Sequence, residues 1–326
     1  MNKNVKNLLA CGGAVAACAA VAAMASDLIT RKLMKLAMVR AEPKKYNKTR
    51  AKVSGSKKIS ETKLLALEYG EKLAQKPCEE VFTESFDGTV LAGHWYPCEN
   101  ASRVIVAMHG WRSSWTKDFG AISEFWHENG CSVLFAEQRG QNNSGGEYMG
   151  FGIIERYDCR EWARWAQEKT DGLPIYLAGN SMGAATVMMA SGLDLPERVV
   201  GIMADCGYTS AHDIWQSVVQ NRFHIPYGIC KSEAEKICFK RINESAKAVT
   251  CPNALKNCKV PVLFVHGTGD KFVPIEMTYT NYMSCASPKK RLLIVPGAEH
   301  SMSYLVDSRA YEEAVKLFWA DCEKSV

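Results

Sequence analysis

A serine stands between two glycines in Gly179-Asn180-Ser181-Met182-Gly183, with one residue on either side. A serine hydroxyl is nearly inert at neutral pH. To act as a nucleophile it needs an imidazole within hydrogen-bond reach and a carboxylate to hold that imidazole. The pentapeptide alone is too short to decide between a nucleophile and a small-residue turn. Two later stretches supply the missing groups: His300 in "PGAEHSMSY" and Asp270 in "HGTGDKFVP". Asp205, in "ADCGYTS", is a second candidate for the acid.

These residues must be brought together by the elements that precede them. "RVIVAMHG", "CSVLFAEQ", "PIYLAGN", "VVGIMADC", "VPVLFVHG" and "RLLIVPG" are short, continuously apolar, β-branched runs, and most are followed by a helix-length segment. Such runs belong in a parallel sheet covered on both faces. "EEVFTESFDGTVLAGHWYP" adds a hairpin turning at Asp87-Gly88. Ligands of such sheets sit beyond the C-terminal strand ends. His109-Gly110-Trp111, Ser181, Asp205, Asp270 and His300 all follow predicted strands. Gly179 and Gly183 fit a sharp strand-to-helix turn, where a Cβ at either place would clash.

The ordered set "MHGWRSS", "EQRGQNNSGG", "GNSMGA", "ADCGYTS", "HGTGDKFVP" and "GAEHSMS" resembles the α/β-hydrolases, in the branch that holds serine aminopeptidase-like and esterase-like proteins. One departure is Glu137 before "QRG", where members usually carry Asp. The resemblance implies an α/β-hydrolase fold: a mostly parallel eight-stranded sheet, helices on both faces and a small helical cap. It implies a triad of Ser181, Asp270 and His300, and an oxyanion hole made by the backbone N–H groups of Met182 and Trp111. The implied reaction is serine hydrolysis of a carboxylic ester, thioester or amide through an acyl-enzyme. A serine peptidase of the same fold is the alternative, and a membrane-tethered binding protein without turnover is the alternative of another class. No cofactor or metal is expected, since no strand is followed by G-x-G-x-x-G or a Walker loop and no Cys/His cluster has zinc spacing.

About fifty residues separate the sixth and seventh strands, longer than an ordinary connection, so a cap is expected at about 207–258. Tyr208, Trp215 and Phe223 within it, with Trp111, are candidate pocket residues. The substrate expected is a small molecule or short peptide. The thirteen cysteines show no C-x-x-C pair and read as mostly buried free thiols.

The charge is uneven. Residues 1–58 hold thirteen of the 40 Lys and Arg against only Asp27 and Glu42, leaving 27 basic and 33 acidic residues in the remainder. An acidic body argues against nucleic acid as the partner. "LLACGGAVAACAAVAAMA" (8–25) is uncharged and sits at the lower length limit for a membrane-spanning helix. The basic, amphipathic "DLITRKLMKLAMVRAEPKK" follows it and suits a lipid headgroup layer. The expected organisation is therefore an anchor or signal segment over 1–30, a basic juxtamembrane linker over 31–59 and a hydrolase domain over 60–326. Localisation is expected at a membrane through a single N-terminal span, with secretion after signal cleavage as the alternative.

Overall fold

The computed structural model describes residues 24, 26–40 and 61–323. Eight strands form one sheet: β1 (Glu79–Glu84), β2 (Val90–Tyr96), β3 (Arg103–Met108), β4 (Cys131–Ala136), β5 (Ile175–Asn180), β6 (Val199–Asp205), β7 (Val262–Gly267) and β8 (Lys290–Val295). Their order is β1-β2-β4-β3-β5-β6-β7-β8. β2 pairs antiparallel with β1 and β4, and every other pairing is parallel. β3 shows why these runs are apolar throughout. Val104, Val106 and Met108 enter one core cluster while Ile105 and Ala107 enter the other. With period-two alternation, a strand covered on both faces has no solvent side to keep polar.

One face is covered by α3 (Trp115–Glu128) and α11 (Ser308–Glu323), whose Phe119, Ile122, Phe125, Val315, Phe318 and Trp319 are buried. α2 (Glu61–Ala74) packs on α3, with Leu73 buried in the same cluster. The other face carries α4 (Glu155–Lys169) and α5 (Met182–Ala190). α5 is buried along its whole length, which its small and apolar sequence, "MGAATVMMA", permits. Between β6 and β7 lie α6 (Ala211–Phe223), a 3₁₀ turn (Tyr227–Ile229), α7 (Lys231–Ile242) and α8 (Cys251–Leu255). α6 starts where the Ser210 hydroxyl accepts from the Asp213 amide at 3.1 Å, capping an otherwise orphaned donor. α9 (Ile275–Ser284) and α10 (Ser303–Val306) complete the body.

The N-terminal expectation is corrected. Among the described residues no helix is long and apolar enough to cross a membrane. The stretch 8–25 lies, Met24 aside, outside those residues, as do residues 41–59 of the expected linker. The single-pass anchor, and lipid as its partner, are therefore not supported. Residues 26–38 form a helix, α1, docked on the protein. Thr30, Met34 and Met38 are buried, with Leu33 and Ala37 packed beside them, while Asp27, Arg31, Lys32 and Lys35 face outward. The spacing 30, 33, 34, 37, 38 is one helical stripe. An amphipathic face is satisfied by lipid or by an apolar protein surface equally well, and here the protein supplies that surface. The chain then adds one bridge, Val39 to Tyr148, and Arg40 donates to carbonyls of the 142–146 loop.

Arg139 locks the hairpin to the opposite layer. Its guanidinium donates to Asp158 from Nε at 2.6 Å, to Asp87 from Nη1 at 2.7 Å and to Ser85 Oγ from Nη2 at 2.9 Å. Both Arg139 and Asp158 are buried. Arg139→Met should lower the unfolding free energy by about 3–5 kcal/mol, because it leaves the Asp158 carboxylate buried without a counter-ion. Urea unfolding of the two proteins checks this.

Candidate active site

Ser181 follows the last residue of β5 and precedes the first of α5. Its backbone sits at φ 56°, ψ −113°, a region that side chains avoid and that costs roughly 1–3 kcal/mol. The neighbouring glycines show what enforces it. A Cβ on Gly183 would lie 1.7 Å from the Met108 carbonyl oxygen, and one on Gly179 would lie 2.2 Å from the Gly183 carbonyl. α5 therefore starts in contact with the end of β3, and the turn between β5 and α5 has no slack.

The structure brings three of the predicted side chains into one line. His300 Nε2 is 2.8 Å from Ser181 Oγ, and His300 Nδ1 is 2.6 Å from Asp270 Oδ2. With Nδ1–H donating to the carboxylate, Nε2 is left to accept the serine proton. Asp270 is a fully occupied acceptor. Its Oδ1 takes the amides of Phe272 and Val273 at 2.8 and 3.0 Å, and His266 Nε2 lies 3.3 Å from its Oδ2. Burial pushes this carboxyl's pKa up, but the His300 charge and the hydrogen bonds from His266 and His300 outweigh it. They hold Asp270 well below the usual carboxylate range, hence ionised. His266 is itself fixed, with Nδ1 against Thr278 Oγ1 at 2.6 Å and Nε2 against the Val273 carbonyl at 3.0 Å.

Asp205 is not brought to His300 in this way. Its side chain accepts from Ser303 Oγ at 3.2 Å, and its carbonyl accepts the Ser181 amide at 2.9 Å. It supports the turn from beneath. His109 orients a loop: the Gln138 amide donates to its Nε2 at 3.1 Å, which leaves Nδ1–H to donate to the Gly110 carbonyl at 2.8 Å. Sequence reasoning missed Asn180 and Ser301. Asn180 Oδ1 accepts from Ser301 Oγ at 2.9 Å and from the Cys206 thiol at 3.2 Å, joining the turn before Ser181 to the residue after His300. Nothing in the local sequence marks that pair. Glu137, the departure from the family pattern, is buried against His94 and accepts the Asn143 amide, away from Ser181.

Among the described residues, Cys206, Asp270 and His300 are the one group whose ligand-type atoms lie close enough for a metal, within 4.8 Å. Their chemistry does not suit one. Burial holds the Cys206 thiol well above its ordinary pKa, so it is protonated, and both His300 nitrogens already have partners.

Beside Ser181 opens an almost wholly apolar cavity with about 70 Å³ of space open to a water-sized molecule. Trp111, Tyr208, Trp215 and Phe223, the four predicted pocket residues, all line it, together with Phe151 and Phe272. Residues of α1 line it as well, and these were not foreseen. The signal was the amphipathic stretch "DLITRKLMKLAMVRAEPKK", which was expected to suit a lipid headgroup layer. The Trp111 indole donates to the Ala37 carbonyl at 2.8 Å, and Arg112 donates to the carbonyls of Leu36 and Val39 at 2.7 and 2.8 Å.

A mostly parallel sheet with helices inserted after β6 and a serine on a strained strand-to-helix turn is the arrangement of the α/β-hydrolase fold, which this chain adopts. A family model described as serine aminopeptidase, S33, matches residues 99–223, which include Ser181 and stop short of Asp270 and His300. The uncharacterized protein YqkD of Bacillus subtilis (strain 168) is 27% identical over 191 residues, 58% of this chain and 62% of its own length. The solved Pyrococcus furiosus esterase Pf2001 superposes with a TM-score of 0.62 at 21% identity, covering 77% of this chain and 93% of its own. Est1E from Butyrivibrio proteoclasticus gives 0.57 at 17% identity, covering 75% and 99%.

Burial raises the Asp205 pKa to about 6, against the opposing pull of His266 and the hydrogen bonds from Ser303 and Tyr311. In the unfolded chain the same group titrates near its ordinary value of about 3.9. The folded state therefore holds the extra proton between those values, and stability falls as pH rises through the window. Asp205→Asn should gain about 2–3 kcal/mol relative to wild type on going from pH 4 to pH 7.5. Denaturation at the two pH values measures it.

Proposed function

We propose that this protein is a serine hydrolase that cleaves carboxylic esters through an acyl-enzyme. The relay of two short hydrogen bonds, 2.6 Å from Asp270 to His300 and 2.8 Å from His300 to Ser181, is the observation that supports this reading. Ser181 Oγ attacks the carbonyl carbon as its proton passes to His300 Nε2. Asp270, held ionised, stabilises the imidazolium and fixes its orientation. The amides of Met182 and Trp111 receive the developing oxyanion. His300 then gives the proton to the departing alkoxide oxygen, which leaves as the alcohol. Water, deprotonated by the same nitrogen, attacks the acyl-Ser181 carbonyl and releases the acid.

An ester is favoured over a peptide because the cavity beside Ser181 is almost wholly apolar. It offers little to satisfy a peptide backbone, whose unpaired polar groups are costly to bury. The S33 description keeps aminopeptidase activity as the second reading.

A fluorophosphonate probe on the purified full chain should label Ser181, and Ser181→Ala should abolish labelling. p-Nitrophenyl ester hydrolysis should fall by about 10³–10⁴ in kcat/KM for Asp270→Asn, whose amide no longer favours the working imidazole tautomer. Hydrolysis indifferent to Ser181→Ala refutes the mechanism. A folded protein that resists the probe is a binding protein. Aminoacyl amides cleaved faster than esters make it a peptidase.

A further inference from the structure

The cavity at Ser181 is walled by a segment that precedes the hydrolase body. α1 contributes Leu33, Met34, Leu36 and Ala37 to its lining, and the cap contributes Trp215 and Phe223. Protein interiors leave few voids larger than a water molecule. If α1 only sealed an apolar face, this space would be filled by side chains. It instead stays open and reaches the Ser181 side chain.

His300 is not among the cavity-lining residues, although its Nε2 is 2.8 Å from Ser181 Oγ. Under the reading of Ser181 as nucleophile, on which this inference rests, the leaving group collects its proton at that nitrogen. The leaving group therefore departs on the His300 side, and the apolar cavity receives the other half of the ester. We propose that α1 is the specificity-determining wall of an acyl pocket, and that the substrate is an ester of an aliphatic acid extending well beyond acetyl.

The ties of α1 are unevenly placed. Its C-terminal end is held to the body by the Trp111 and Arg112 hydrogen bonds to carbonyls 36, 37 and 39. Further toward its N-terminus it is held to the cap, by Arg241 donating to the Met34 carbonyl at 2.7 Å and Ser26 Oγ donating to the Ile229 carbonyl at 2.9 Å. α1 thus spans body and cap, and the residue whose amide is the expected oxyanion donor also holds the wall. Acyl length and oxyanion geometry are read by one connected unit.

The test is kcat/KM for p-nitrophenyl acetate, butyrate, hexanoate, octanoate and decanoate, with wild type, Leu33→Trp and Met34→Ala. Wild-type values should rise up to about fourfold per methylene until the cavity is full. Leu33→Trp should cut the octanoate-to-acetate ratio at least tenfold, and Met34→Ala should move the maximum to longer chains. Thermal unfolding identifies a misfolded variant, in which case the other carries the comparison. A flat chain-length profile, or one unmoved by the correctly folded variants, overturns this proposal while fluorophosphonate labelling of Ser181 leaves the hydrolase reading standing. The same holds if rates follow the alcohol rather than the acid across a leaving-group series. Loss of both labelling and hydrolysis in the wild type overturns the hydrolase reading itself.

Discussion

The tight contact between the start of α5 and the end of β3 is the constraint on which the rest depends. Gly183 lies where no side chain fits against the Met108 carbonyl, so only glycine lets the helix start this close to β3, and the residue before the helix sits at φ 56°. Strain of this kind persists only where the surroundings over-determine it. Here they do: the Ser181 amide is held by the Asp205 carbonyl, β5 lies between β3 and β6, and α5 is buried along its whole length. The serine is therefore held by the core of the fold, and the groups around it meet a fixed target.

The electrostatics are built on that fixed point. Asp270 lies in a loop, yet its four acceptor directions are all used, two by main-chain amides and two by imidazoles. A buried carboxylate without such partners would take up a proton, and a neutral acid would no longer favour a charged imidazole beside it. Asp205, one strand away and with fewer donors, illustrates the other outcome: burial dominates and its pKa rises to about 6. Two aspartates at neighbouring strand ends thus behave oppositely: the His300 charge and hydrogen bonds outweigh burial at Asp270, and burial dominates at Asp205.

This contrast also explains what was legible in the sequence. The strands could be read because burial on both faces demands continuous apolar runs, as in Val104 to Met108. Ser181, Asp270 and His300 could be singled out because each is a reactive type directly after such a run. The choice of Asp270 over Asp205 rested on resemblance, since the amides and imidazoles that separate the two come from residues with no compositional mark. The Asn180–Ser301 link was illegible for the same reason: it joins the last residue of β5 to a loop 121 positions away through ordinary polar side chains. The helix at 26–38 was half legible. Its stripe specified an apolar partner, and periodicity carries no information on whether that partner is lipid or protein.

The docking of α1 has a consequence for the polar relay. With cap and helix together walling the cavity, the ground beside Ser181 is apolar. Coulomb interactions strengthen as the local dielectric falls, so under the proposed acyl-pocket reading a chain bound in the cavity would strengthen the Asp270–His300 attraction. On that reading the apolar wall and the ionic relay would act together, the hydrophobic half of the substrate completing the low-dielectric surroundings of the charged half of the site. Binding energy from the remote chain would then contribute to the chemical step and not only to affinity.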